Sequence, residues 1–227
     1  MRASLPINKN ESSAVDSDEI GVERQRSDCA CEANQREEIV PRTASRKFPV
    51  LSTRRLTLRA ATPKDAPAFR ALLSIPDVTR FSNWPDAPST TQAERFVRWM
   101  SKVHGSGKGC AWIIEISGSK ALAGAIRFNS FEKKWRCGQI GYELHPDYWG
   151  KGLMTEAVRA VVACGHETFR LNRIDAWTMP GNAASDRVLE KSGFRYEGTL
   201  RQKAWFKGAF HDFRMFGRIA GDAARAN

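Results

Sequence analysis

The segment GYELHPDYWGKGLMTEA at residues 141–157 limits the fold of this chain more than any other. Its first part alternates like a strand, its middle is a glycine-containing turn, and Leu153 opens a long apolar run of helical length. A strand that turns through glycines into a helix leaves several backbone N–H groups unpaired and aimed at one point. The helix dipole adds partial positive charge there, so the turn attracts phosphate without a dedicated side chain. The segment also demands a sheet with a helix packed on it, which puts the chain in the mixed α/β class.

The rest of the chain from residue 46 onward is consistent with that class. Residues 52–59 alternate polar and apolar and read as a strand. Thr62 followed by Pro63 is a helix start, with Phe69, Leu72 and Leu73 as its apolar positions. A Pro-rich loop over 82–88 leads to Ser89, which caps a second helix bearing Phe96, Val97, Trp99, Met100 and Val103. Strands over 111–116 and 122–131 flank Ser117-Gly118-Ser119, a hairpin signal. Next come a strand over 139–144 and a helix over 153–169. That helix is apolar nearly all round, so it is expected to lie between two layers. A strand over 173–178, a short helix over 182–191 ended by Gly193, and strands over 194–205 and 209–219 around Lys207-Gly208 complete the order βααβββαβαββ. No internal repeat is visible.

Residues 1–45 contain no aromatic residue and no sustained apolar period. Such a composition buries too little surface to offset ordering entropy, so the segment is expected to be a disordered extension. The expected domain is 46–220, with 221–227 as a disordered tail. Residues 1–45 carry six Lys/Arg and nine Asp/Glu, against thirty and sixteen over 46–227, so the net charges are −3 and +14. A domain this basic attracts polyanions such as nucleic acid, phosphorylated ligands or an acidic protein; a solvated, solubilising surface explains the charge equally well. No run of about 18 apolar residues is present, and the N-terminus leads into no apolar stretch, so neither a membrane span nor a secretory signal is expected. Cys110, Cys137 and Cys164 fall in apolar segments and Cys29 and Cys31 in the polar tail; five is an odd count. All five are expected to be reduced, in a cytoplasm. Cys29 and Cys31 have no second ligand pair nearby, and His104, His145, His166 and His211 form no ligand spacing, so no metal is expected.

Two short stretches mimic nucleotide-binding motifs. Residues 105–109, GSGKG, lack the first glycine of a P-loop and have Gly109 where Ser or Thr must follow the lysine. Gly150 and Gly152 lack the third glycine of a dinucleotide fingerprint, because Thr155 stands there. A different partner for the 141–157 segment lies 25 residues further on, in NAASDRVLEKSGF at 182–194. Together the two segments resemble the acyl-CoA-binding motifs of the GNAT N-acetyltransferases, specifically the RimJ/RimL-like branch, and the resemblance spans roughly residues 50–220.

That resemblance implies the GNAT fold, a mixed central β-sheet flanked by helices, with acetyl-CoA as co-substrate and no metal. The family's pyrophosphate turn is usually Gln or Arg, two residues, Gly, one residue, then Gly or Ala. Here Trp149 replaces the Gln/Arg, as is typical of the branch, and Met154 replaces the small residue, which implies a more crowded approach to the phosphates. The backbone donors are untouched. The resemblance therefore makes Leu144, Trp149, Gly150, Lys151, Gly152, Leu153, Met154, Thr155 and Asn182 the cofactor-binding residues. Asn182 would contact the pantetheine arm, and it is equally a good helix N-cap. Ser185 would lie near the sulfur and protonate the departing thiolate, although a surface hydroxyl is the alternative. A backbone N–H near Leu144 would hold the thioester oxygen. Glu143 is the candidate base for the ammonium proton. Its apolar neighbours would raise a buried carboxyl, unless it faces solvent or pairs with an arginine. Lys151 and Arg187 would add charge near the phosphates. Trp84, Trp99, Trp135, Trp177 and Trp205 either line an acceptor groove or fill the core.

The function implied is direct acetyl transfer from acetyl-CoA to a primary amine. The weak base set favours an α-amine, with a reference pKa of about 8, over lysine at about 10.4. The branch points to the N-terminus of a protein, ribosomal or acidic. Small-molecule or antibiotic amines, a non-catalytic acyl-CoA sensor and a basic RNA-binding module stay open. No membrane or specific nucleic-acid partner is expected, and the chain is read as a monomer or homodimer.

Overall fold

The structure is a computed structural model that describes residues 47–222. The expectations for residues 1–45, for Cys29 and Cys31, and for 223–227 lie outside the described residues. Folded backbone continues two residues past 220, where the Asp222 carboxylate accepts from the Ile219 N–H and pairs with Arg195.

The elements are β1 (Leu51–Ser52), β2 (Leu56–Ala60), α1 (Ala66–Leu73), α2 (Pro76–Thr79), α3 (Thr90–Ser106), β3 (Cys110–Ile116), β4 (Leu122–Glu132), β5 (Cys137–Leu144), α4 (Leu153–Glu167), β6 (Arg173–Thr178), α5 (Ala183–Lys191), β7 (Arg195–Phe206) and β8 (Ala209–Ile219). The strands form one sheet in the order β1-β2-β3-β4-β5-β6-β8-β7. Every neighbouring pair is antiparallel except β5–β6, which is parallel. A parallel pair needs a crossover, and α4 supplies it.

Side-chain alternation along β3 feeds two cores. Trp112 and Ile114 join Leu58, Ile126, Phe128, Val158, Ile174 and Phe216 under α4 and α5. Ala111 and Ile113 join Phe69, Leu72, Val97, Met100 and Ala125 under α1 and α3. Full burial of each large apolar side chain contributes about 1.5–3 kcal/mol, so both faces are anchored.

Three local expectations change. The strand foreseen over 52–59 breaks into β1 and β2, because the Thr53 N–H donates to Leu56 O (2.9 Å) and the Thr53 hydroxyl accepts from the Leu56 N–H (3.0 Å). A short helix not foreseen, α2, follows Ile75, with Pro76 in its first turn. α4 covers one face of the sheet rather than lying between layers. Arg159, Ala163 and Glu167, spaced four apart, form an exposed stripe, and the helix stops at Glu167. The stop of α5 is as foreseen. Gly193 (φ 85°) donates to Glu190 O and Phe194 to Leu189 O, the paired bonds of a Schellman cap, with Leu189 and Phe194 both in the core.

Candidate functional site

The site begins where two strands part. β5 and β6 pair only at Cys137↔Arg173, Gly138↔Ile174 and Gln139↔Asp175, yet β5 runs on to Leu144 and β6 to Thr178. Beyond that point they diverge and open a wedge in the sheet. The His145 N–H donates to Ala123 O (2.8 Å), so alternation along the antiparallel β4–β5 ladder turns the backbone groups of Tyr142 and Leu144 away from β4 and into the wedge. The Leu144 carbonyl accepts from Trp149 Nε1 (2.8 Å), which ties the following turn to the strand. A cavity of about 1380 Å³ occupies the wedge and reaches from the start of α4 to the loop around Trp84.

At one end of the cavity lies the glycine turn. Gly150 (φ 71°) and Gly152 (φ 72°) are both left-handed, a conformation that disfavours any side chain. Gly152 caps α4 without a side-chain bond, and the first intrahelical bond runs from Glu156 N–H to Gly152 O (3.1 Å). The N–H groups of Leu153, Met154 and Thr155 precede that bond and so have no intrahelical partner. Arg55 braces the turn from outside. Its Nη1 donates to Lys151 O (3.0 Å), its Nε to Glu156 Oε2 (2.7 Å), and its backbone N–H to Glu156 Oε1 (3.0 Å). Burial alone would raise the Glu156 carboxyl, but bonds from Thr53 and Arg55 outweigh it and hold it below the usual range. Because a trans peptide points its C=O and N–H in opposite directions, fixing Lys151 O outward directs the Gly152 N–H the other way. Met154 is only 5% exposed and packs into the core, while still bordering the cavity. Left-handed glycines, free helix amides and the exposed Lys151 make a cradle that fits a pyrophosphate.

β5 divides the remaining residues between the two faces of the sheet. Glu143 lies on the α1–α3 face, where its carboxylate accepts from Arg127 Nη1 (2.6 Å), Arg127 Nη2 (2.9 Å) and Trp84 Nε1 (3.1 Å). Arg127 is itself fixed by Asn129 Oδ1 (2.9 Å) and lies over the Phe96 ring (5.2 Å). Glu143 is therefore buried and paired with an arginine, the alternative set against the base role. Its surroundings are a guanidinium and an indole N–H rather than the apolar ones expected, because β4 sets Arg127 diagonally across the hairpin from it.

Tyr142, Asn182 and Ser185 lie on the α4–α5 face. Asn182 Oδ1 accepts from the Ser185 N–H (3.2 Å) as the α5 cap, a bond that leaves the amide nitrogen unused. The Tyr142 hydroxyl donates to Ser185 O (3.4 Å), and burial pushes its phenol up, so it remains a neutral donor. Glu143 and Ser185 thus flank the wedge from opposite faces.

Trp84, Trp99, Trp177 and Trp205 line the cavity, as do Arg187, Thr155 and Gly150. Trp135 does not: it stands 68% exposed in the β4–β5 turn, beside Lys134. Sequence reasoning missed Arg55, Trp84's bond, Arg127, Tyr142 and Glu156. Only Arg127 left a local trace, as a charge inside an apolar strand.

Comparison with known proteins agrees with this geometry. The family model for the acetyltransferase (GNAT) domain, Acetyltransf_3, matches residues 55–195. The chain is 36% identical over 169 residues to the uncharacterized N-acetyltransferase YoaA of Bacillus subtilis (strain 168), covering 74% of this chain and 96% of that protein. It is 28% identical over 138 residues to the ribosomal-protein-serine acetyltransferase of Escherichia coli (strain K12), covering 60% and 76%. Among solved structures, RimL, a ribosomal L7/L12 alpha-N-protein acetyltransferase in complex with coenzyme A, superposes with a TM-score of 0.69 at 24% identity over 75% of this chain and 98% of that one. At that identity the likeness speaks for the fold.

Proposed function

Since the chain belongs to the GNAT family and is an acetyl-CoA-dependent N-acetyltransferase, we propose that its acceptor is the N-terminal α-amine of a protein. The observation that carries this reading is the engagement of Glu143. Among the described residues, the carboxylates lining the cavity are Asp77, which is exposed, and Glu143, which is buried with three hydrogen bonds accepted. A carboxylate already holding three donors is a fixed wall that positions Trp84 and leaves little room for an ammonium group. An amine with a pKa of about 8 is already neutral to about one part in ten at pH 7 and needs little help; lysine, at about 10.4, is neutral to less than one part in a thousand. The name of the E. coli relative, a ribosomal-protein-serine acetyltransferase, supports a ribosomal acceptor. Arg80 and Arg95, exposed on the cavity wall, favour an acidic segment next to the amine.

In this reading the edge of β5 that faces the wedge, the backbone of Tyr142 and the Leu144 N–H, receives the pantetheine arm as an added strand would. The N–H groups of Leu153, Met154 and Thr155 take the pyrophosphate, and the Asn182 amide nitrogen donates to the pantetheine. The Leu144 N–H donates to the thioester oxygen as negative charge develops on it. The amine nitrogen bonds to the acyl carbon as the carbon–sulfur bond breaks. Its proton passes to water, the Ser185 hydroxyl hands its own proton to the leaving thiolate, and the proton released to water restores the hydroxyl. The acceptor arrives from the α1–α3 face and the coenzyme from the α4–α5 face.

Incubation with acetyl-CoA and unacetylated ribosomal proteins, followed by intact mass spectrometry, tests the acceptor. One acetyl group on a single N-terminus is expected. Modification spread over lysines, or transfer only to small amines, would refute it.

A further inference from the structure

Ser185 and Arg187 border the large cavity, and the side chain of Asp186 between them turns instead to the sheet. Its Oδ1 accepts from the hydroxyl of Thr178 (2.6 Å), the last residue of β6, which is 3% exposed. Its Oδ2 accepts from Arg214 Nε of β8 (3.1 Å), and the Arg214 guanidinium lies over the Tyr196 ring of β7 (4.5 Å). A carboxylate in the first turn of α5 also meets the positive end of that helix. β5 reaches the same turn from the other side, where the Tyr142 hydroxyl donates to Ser185 O. Tyr142 and Thr178 stand at equal depth: the pairing of Gln139 with Asp175, continued by three residues along both strands, would set them opposite each other. The strands no longer pair there, and the first turn of α5 joins the two lips of the wedge in place of the missing ladder.

Asn182 and Ser185 belong to that same turn, so their reach into the wedge depends on how the turn is held. The Tyr142 bond is long, at 3.4 Å, and joins neutral groups. The Asp186 bonds carry charge, and charge-assisted hydrogen bonds are roughly twice as strong as neutral ones. The far end of α5 is held separately, by Arg159 Nε and Nη2 on Lys191 O, so loss of the near tie leaves the helix free to tilt about the far one. We propose that Asp186 is a positioning residue: through Thr178 and Arg214 it holds the first turn of α5 across the wedge, and so aims the Asn182 amide and the Ser185 hydroxyl at the pantetheine arm. The inference rests on the placement of the coenzyme given above. The pyrophosphate cradle belongs to α4 and the turn before it, so cutting the Asp186 tie leaves that cradle in place.

Titration calorimetry of the full chain with acetyl-CoA and with 3′-phospho-ADP, which is the coenzyme without its pantetheine arm, tests it. Thr178→Val keeps the shape of a buried residue and removes its hydroxyl. It should weaken acetyl-CoA binding about fivefold and change 3′-phospho-ADP binding by less than about twofold. Asp186→Ala should behave alike, and the double variant should be no weaker than Asp186→Ala alone. Thr178→Ser, which returns the hydroxyl, should match the wild type. In an Asn182→Ala background, Thr178→Val should weaken acetyl-CoA by less than about twofold more, because the contact it aims is already gone. A loss shared equally by the two ligands, wild-type affinity in Thr178→Val, or no rescue by Thr178→Ser would overturn the proposal. Failure of the wild type to bind acetyl-CoA, or to bind it more tightly than 3′-phospho-ADP, would instead overturn the placement of the pantetheine arm, and the role of Asp186 with it.

Discussion

Arg127→Met isolates the ion pair at the centre of the site. The two side chains are 10% and 5% exposed, and the guanidinium supplies two of the three hydrogen bonds to Glu143. The substitution leaves a buried carboxylate with the Trp84 indole as its remaining donor and removes the contact with Phe96. Breaking a buried pair from one side costs about 3–5 kcal/mol. At about 2–4 °C per kcal/mol for a domain of this size, thermal unfolding followed by circular dichroism should fall by about 6–20 °C. Adding Glu143→Gln removes the stranded charge, so the double variant should recover about half of the loss. Both partners lie in one network, and a coupling of about 1–3 kcal/mol is expected from the full cycle. A shift of under about 2 °C for Arg127→Met, or a double variant no more stable than the single one, would show that Arg127 does not support Glu143.

Gly152→Ala places a side chain at φ 72°, where the nearest atom, Arg55 Nη2, is an ordinary 3.8 Å away. The cost is therefore backbone strain of about 1–2 kcal/mol, seen as a drop of about 2–8 °C in thermal unfolding. The stabilisation gained on adding coenzyme A should shrink as well, which a thermal-shift titration reads directly. Asp65 gives a pH dependence. Burial alone would raise its carboxyl, but bonds from Arg59 (2.9 and 2.7 Å) and Thr62 bring it below the usual range. A depressed carboxyl stabilises the fold above its unfolded value of about 3.9, and that contribution is lost as pH falls through the lower folded value. Thermal stability of Asp65→Asn should consequently be lower than wild type at neutral pH and decline less on acidification; parallel profiles would contradict this.

The parts of the site that were legible in the sequence are those built from neighbours in the chain. The glycine turn, the α4 start and the Asn182 cap each declare themselves within a few residues. The Schellman end of α5 does too, through Gly193. The parts that were not legible join distant residues. Arg55 and Glu156 are 101 positions apart, and Trp84 and Glu143 are 59 apart. No local pattern says that β5 and β6 stop pairing after Gln139 and Asp175, although that divergence makes the cavity. The exposed stripe of α4 was disguised because Ala163, an apolar residue, occupies its middle. The apolar setting assumed for Glu143 failed because its flanking residues in sequence point to the other face of the sheet.

Amide hydrogen exchange with and without saturating acetyl-CoA tests the central claim, that the wedge between β5 and β6 and the turn before α4 hold the coenzyme. Exchange should slow at residues 142–144 and 150–155 while the amides of β1 and β2 stay unchanged. Tight binding of acetyl-CoA with protection elsewhere, and none in these two segments, would contradict it.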